Sequence, residues 1–135
     1  MTPAPDGDEF RVRLWATADR LVGLRQELAR WTVGTPLSVE RQEDVVLAVY
    51  EAMANAAEHG YPDGEGGPLE VTACWEADEL TVVVVDHGRW KVPDPGETVR
   101  GRGRPLITAL TDACATQHRA DGTTVTMRFR LAPAT

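Results

Sequence analysis

The sequence is short of cysteine, of basic charge and of long apolar runs, and each shortage removes a class of function. Its two cysteines, Cys74 and Cys114, form no CxxC pair and have no histidine at zinc-ligand spacing, so a zinc cluster or redox dithiol is not indicated. Two reduced, buried thiols are expected instead. Lys and Arg number 14 against 21 Asp and Glu, a net charge of −7. General nucleic-acid affinity usually shows as a basic stripe, and an anionic membrane would repel this balance. The apolar run Val82 to Val85 is far shorter than the roughly 20 residues that span a bilayer. The opening MTPAPDGDEF has neither a basic n-region nor an apolar h-region, so no secretory signal is read there. The expectation is a cytoplasmic protein with no direct nucleic-acid or membrane contact.

What is present is a globular chain. It has 135 residues, 42% of them hydrophobic, enough for one domain with a real core. Residues 1–9 read as a flexible leader and residues 10–132 as the domain. Phe10, Val12 and Leu14 alternate with Arg11, Arg13 and Trp15, which predicts a short strand. Leu21, Leu24, Leu28 and Trp31 follow at helical spacing, with Thr17 or Asp19 as the cap. A second helix is predicted over Val39 to His59, capped by Ser38 and closed by Gly60. Its core stripe is Val46, Val49 or Tyr50, Met53 and Ala57.

Beyond it the pattern turns to strands. Leu69, Val71, Ala73 and Trp75 alternate, and a tight connection at Ala77-Asp78-Glu79 leads into Leu80 to Asp86, so these two strands form a hairpin. His87 to Arg104 has no periodicity and reads as a loop. Pro105 to Ala113 resumes helical spacing, with Pro105 in the first turn. Strands Thr116 to Arg119 and Thr124 to Leu131 complete the order, joined by Ala120-Asp121-Gly122. Hairpin strands with separate helices predict an α+β two-layer sandwich, a mixed and mostly antiparallel sheet with helices on one face. The face left bare, with Val83 and Val85 on it, is a candidate homodimer surface.

Four local patterns carry possible chemistry. Glu51, Asn55 and His59 fall at i, i+4 and i+8 on the second helix and share a stripe. Asn55 can offer an amide oxygen to Mg²⁺, and Glu51 can polarise a nucleophile. Asp86-His87-Gly88 ends an apolar strand, where an acid can accept from an exocyclic amine such as that of adenine and a glycine lets a ring approach the backbone. Gly101, Arg102, Gly103 and Arg104 precede a helix, a setting that suits phosphate. Asp121-Gly122-Thr123-Thr124 opens the last strand and places hydroxyls there. Taken singly, each also has an ordinary reading: a solvated helix face, a strand end, a loop, a hairpin turn.

Their order gives them weight. Together the four patterns resemble the GHKL (histidine kinase-like) ATPase superfamily, which includes sensor histidine kinases and DNA gyrase. Glu51-Ala-Met-Ala-Asn55-Ala-Ala-Glu-His59-Gly60-Tyr61 is similar to the first nucleotide box of its anti-sigma factor serine/threonine kinase branch. Gly101-Arg-Gly-Arg-Pro-Leu-Ile107 and Asp121-Gly-Thr-Thr-Val125 resemble its later boxes. The resemblance runs from about Phe10 to Leu131 and implies the Bergerat-type ATPase fold, with ATP and Mg²⁺ as cofactors.

It also implies roles. Asn55 would hold Mg²⁺ and Glu51 would be the catalytic base. His59, Asp86, Gly88, Gly101, Arg102, Gly103 and Thr123 or Thr124 would line the ATP site. The implied activity is that of an anti-sigma regulatory factor phosphorylating an anti-anti-sigma (STAS-type) partner, with a sigma factor as second partner and a kinase homodimer as the acting form. The sequence departs from the family pattern where Trp90 replaces the second glycine of the Asp86 box, and its short lid carries Pro93 and Pro95. Arg89, Lys91, Arg100, Arg102 and Arg104 add positive charge to that loop. The alternatives are a non-catalytic ATP-dependent protein-binding module, or a regulatory domain of a larger signalling protein. A sensor histidine kinase domain fits less well, because no phospho-accepting histidine on a dimerising helix pair precedes it.

Overall fold

A computed structural model describes residues 9–88 and 103–131. Their elements run β1 (Glu9–Trp15), α1 (Ala18–Val33), α2 (Val39–Asn55), a π-helical turn (Ala56–Gly60), β2 (Pro68–Glu76), β3 (Glu79–Asp86), α3 (Gly103–Leu110), β4 (Ala113–Arg119) and β5 (Gly122–Arg130). The five strands form one sheet in the order β1-β2-β3-β5-β4. Every pairing is antiparallel, so the sheet is less mixed than the sequence reading allowed. No helix among the described residues is long and apolar enough to cross a membrane.

Alternation sets which face of the sheet is buried. In β2 the inward residues are Leu69, Val71 and Ala73, in β3 Leu80, Val82 and Val84, and in β5 Val125, Met127 and Phe129. Leu21, Leu24 and Leu28 of α1 and Val45, Val49 and Met53 of α2 cover them. Trp31 packs its ring against Phe10 at 5.7 Å between centroids, an aromatic contact that ties α1 to the edge strand. The alternate residues, Thr72, Thr81, Val83, Val85, Thr124 and Thr126, are half-buried on the other face.

Several boundaries move from those the sequence suggested. The stripe of α2 is centred on Val45, Ala48, Val49, Ala52 and Met53, and Val46, Tyr50 and Ala57 lie at its flank. Ala48 and Ala52, which were not in the predicted stripe, are buried with it against the core. The long helix is regular only to Asn55 and then widens into the π turn. Gly60 is the last residue of that turn and is buried within it, and it does not adopt the left-handed conformation of a C′ glycine. Ser38 does cap α2, its hydroxyl accepting from the Arg41 amide at 3.1 Å. At α1 the capping residue is Thr17, but its hydroxyl donates to Asp19 at 2.8 Å and caps no amide. α3 ends at Leu110, and Ala113 opens β4.

Both cysteines are exposed, against the expectation of buried thiols. Cys74 alternates with Ala73 and Trp75 and therefore faces outward. Cys114 points inward but sits on the edge strand β4, beyond the cover of the helices.

One polar knot fixes the second half of the chain to the first. Arg41 bonds Asp44 at 3.1 Å, reaches the Leu110 carbonyl and pairs with Asp112. Its guanidinium lies 5.8 Å from the Phe129 ring centroid. Asp112 also accepts from the Arg130 amide at 2.7 Å. The Arg41 side chain is only 15% exposed, so this pairing carries more weight than a surface ion pair. It anchors the end of α3 to the start of α2.

Candidate functional site

The site begins with a register. Leu69, Asp86, Thr123 and His118 are successive cross-strand partners on β2, β3, β5 and β4. Direct partners in a sheet project to the same face, with Cβ atoms about 5 Å apart. Asp86 and Thr123 are each only 2% exposed. Two polar side chains thus stand side by side at the end of an otherwise apolar inner face. Burial of such groups is costly unless they are hydrogen-bonded, and both are. Asp86 Oδ1 accepts from the Gly88 amide at 3.0 Å. Thr123 Oγ1 lies 3.0 Å from His118 Nδ1.

Glycines shape the floor of this corner. A Cβ on Gly88 would lie 2.0 Å from the Gly60 carbonyl oxygen, so the end of β3 and the π turn touch backbone to backbone. Gly122 has φ +153°, and a Cβ there would lie 2.0 Å from the Asp86 carbonyl oxygen. Neither position has room for a side chain. Tyr61, directly after the π turn, closes one wall: its hydroxyl donates to the Pro68 carbonyl at 2.7 Å and accepts from the His87 amide at 2.9 Å. Burial raises the Tyr61 phenol above the usual tyrosine range, the His87 amide bond opposes this, and the Asp86 charge adds to it.

Glu51 and Asn55 lie on the last turns of α2, Asn55 directly before the π turn that ends at Gly60 and Glu51 one turn earlier, and both are half-buried. Neither side chain has a hydrogen-bond partner among the described residues, unlike Asp86 and Thr123. His59 is more exposed, at 43%, with Nε2 at 4.0 Å from Glu58. Among the described residues no group of three or more His, Cys, Asp or Glu side chains could hold a metal ion. A divalent cation here would need oxygens from elsewhere besides the Asn55 amide, as Mg²⁺ commonly takes from phosphates and water.

The structure separates the two threonines that the sequence left as alternatives. Thr123 shares the inner face with Asp86, whereas Thr124 stands opposite Val85 on the outer face. Gly103 is the first residue of α3. Gly101, Arg102 and Trp90 lie outside the described residues. Two contributors were not singled out from the sequence: Tyr61, whose hydroxyl spans two backbone segments, and His118. The Gly60-Tyr61 ending of the helix box pointed at the first. Only the strand alternation of Thr116 to Arg119 pointed at the second.

Residues 14–129 match the profile of the histidine kinase-like ATPase domain. The chain belongs to that family. Within it, the similar proteins carry two kinds of name. An anti-sigma F factor from Clostridium acetobutylicum is 40% identical over 68 residues, 47% of this chain and 47% of that protein. A serine-protein kinase RsbW from Oceanobacillus iheyensis is 31% identical over 90 residues, 56% of this chain and 57% of that one. The chain thus spans about half the length of these relatives. Among solved structures, that of the RsbU and RsbW domains of Rv1364c from Mycobacterium tuberculosis superposes with a TM-score of 0.74 at 28% identity, covering 98% of this chain and 34% of that one. The GHKL resemblance and the α+β fold read from the sequence agree with these findings, and ATP binding is what the family implies.

Proposed function

We propose that this histidine kinase-like ATPase domain is an ATP-binding anti-sigma regulatory factor that phosphorylates a serine or threonine of an anti-anti-sigma partner. The observation that carries the reading is the buried Asp86–Thr123 pair at the glycine-lined corner, where the end of β3 touches the π turn that follows the helix carrying Glu51 and Asn55. An adenine offers an amino donor, and the Asp86 carboxylate, buried at this corner, is an acceptor of the matching kind. Gly88 and Gly122 face the protein's own backbone at Gly60 and Asp86, so they close the floor of the corner and do not present the open surface to a ring that the sequence reading expected of Gly88. Asn55 would hold Mg²⁺ together with the phosphates, and the ion would neutralise charge on the transferring group. Gly101, Arg102 and Gly103 would face the phosphates at the entry to α3, and His59 would flank them.

Glu51 takes the proton. As the partner's hydroxyl oxygen bonds to the γ-phosphorus, the bond to the leaving ADP oxygen breaks and the hydroxyl proton passes to the Glu51 carboxylate. A sigma factor is the second partner in this proposal, and a homodimer through the outer face bearing Val83 and Val85 is the acting form. Incubation with ATP, Mg²⁺ and an anti-anti-sigma domain tests it: phosphoserine or phosphothreonine should form on the partner and be lost with Glu51→Ala. Absence of ATP binding in calorimetry would sink the proposal.

A second reading keeps ATP binding without transfer, a module that uses the nucleotide to shape a protein-binding surface. Trp90 at the second glycine of the Asp86 box favours it. Nucleotide affinity with no phosphate on any partner is its signature in the same assay.

A further inference from the structure

The cross-strand row does not end at Thr123. His118, next along on the edge strand β4, places Nδ1 3.0 Å from the Thr123 hydroxyl oxygen. Thr123 is buried and His118 is exposed, so the imidazole sits on the threonine from its outer side. A hydroxyl has one hydrogen to give and lone pairs to receive. Whichever of these the histidine takes decides what the threonine can still offer to a ligand.

The chemistry of the neighbouring Asp86 selects between the two arrangements. An ionised carboxylate only accepts, so Asp86 suits the amino group of adenine. The adjoining ring nitrogen, N1, is an acceptor and needs a donor. Thr123 can supply one only if its oxygen receives a hydrogen bond from the histidine and its own hydrogen is turned inward. We infer that His118 donates from Nδ1 to Thr123 Oγ1 and thereby orients the hydroxyl as a donor, making His118 a positioning residue for base selection. The inference rests on the adenine reading of the Asp86 corner. With the opposite polarity, Thr123 would give its hydrogen to His118 and present only lone pairs, and Asp86 and Thr123 would then both repel N1.

The test compares two nucleotides, ATP and 1-deaza-ATP, which has a C–H in place of N1. Dissociation constants are measured by calorimetry for the wild type, His118→Phe, His118→Asn and Asp86→Asn. The asparagine amide nitrogen falls close to the place of Nδ1 and is a permanent donor. His118→Phe should weaken ATP about tenfold, the effect of one hydrogen bond of ordinary strength, and leave 1-deaza-ATP within about twofold. His118→Asn should return ATP affinity towards wild type. Equal loss of both nucleotides in His118→Phe would mean that the ring merely supports the strand, and would overturn the inference. So would unchanged ATP affinity, or no recovery with asparagine. Asp86→Asn separates the two levels: if it leaves ATP affinity intact, the adenine reading itself fails. If it weakens ATP while His118→Phe does not, only the role of His118 is lost.

Discussion

Gly88 and Gly60 meet so closely that a single methyl group on Gly88 would lie 2.0 Å from the Gly60 carbonyl oxygen and 2.5 Å from its carbon. Both atoms are backbone, so no side chain can swing aside. Gly88→Ala should therefore push the end of β3 away from the π turn. Overpacking of this kind costs roughly 1–3 kcal/mol and sometimes more, and the upper end is expected here. Thermal unfolding should show a fall of several degrees, and nucleotide affinity should drop with it. Gly23, whose Cβ would meet nothing within 4 Å, is the control: Gly23→Ala lies within α1 and should be neutral or stabilising.

Asn55 and Glu51 should separate binding from transfer. Asn55→Ala removes an oxygen proposed to face the metal, and should weaken Mg·ATP roughly tenfold to a hundredfold, the range for a lost bond to a charged group. ATP measured in EDTA should change far less. Glu51→Ala should bind Mg·ATP as the wild type does and lose about 10²–10⁴-fold in phosphate transfer, the usual contribution of a general base. Calorimetry and single-turnover transfer, run side by side, check both.

Tyr61 should give the fold an alkaline limit. Its folded phenol is raised above the ordinary value, chiefly by burial, with the Asp86 charge adding to the shift against the His87 amide bond. The neutral phenol is the form the folded state favours. Its contribution is thus complete below the ordinary tyrosine value of about 10. It declines as pH rises from there through the raised folded value. Denaturant unfolding of wild type and Tyr61→Phe across that window measures the difference, which should shrink with rising pH. At neutral pH, Tyr61→Phe should cost about 0.5–1.5 kcal/mol, the ordinary net worth of a hydrogen bond, because the exposed His87 amide can turn to water when its acceptor is removed.

Asp112 should matter to stability although it is remote from the nucleotide corner. It receives both the Arg41 guanidinium and the Arg130 amide. Asp112→Ala should cost about 1.5–3 kcal/mol, the range for hydrogen bonds to a charged group. Chemical denaturation reads this directly. ATP affinity extrapolated to the fully folded population should be little changed.

Much of this fold could be read along the chain, because its strands alternate cleanly. Leu69 to Trp75 and Val125 to Leu131 declared their inner faces through period-two hydrophobicity, and Ser38 declared the start of α2 through its capping chemistry. The same alternation placed Cys74 opposite to Ala73 and so outside, a consequence that the general tendency of thiols towards burial obscured. Other features depend on contacts between segments distant in sequence. The π turn gives no local signal in Ala56 to Gly60 beyond the glycine that Gly88 presses against. Thr123 and Thr124 are chemically alike, and only pairing with Asp86 or with Val85 tells them apart. His118 acquires its place from Thr123, and Arg41 acquires its place from Asp112, 71 positions away.

The row from Leu69 through Asp86 and Thr123 to His118 is spaced by the sheet's own backbone ladder. Tolerance to length change should follow from this. One residue inserted within β5 between Thr123 and Val125 would turn Thr123 outward and bring a neighbour in, since strand faces alternate. The two-residue connection between Arg119 and Gly122 should likewise resist lengthening. By contrast, the two-residue turn at Ala77 and Asp78 joins the far ends of β2 and β3, and an engineered tag or sensor peptide inserted there should leave the nucleotide corner in phase.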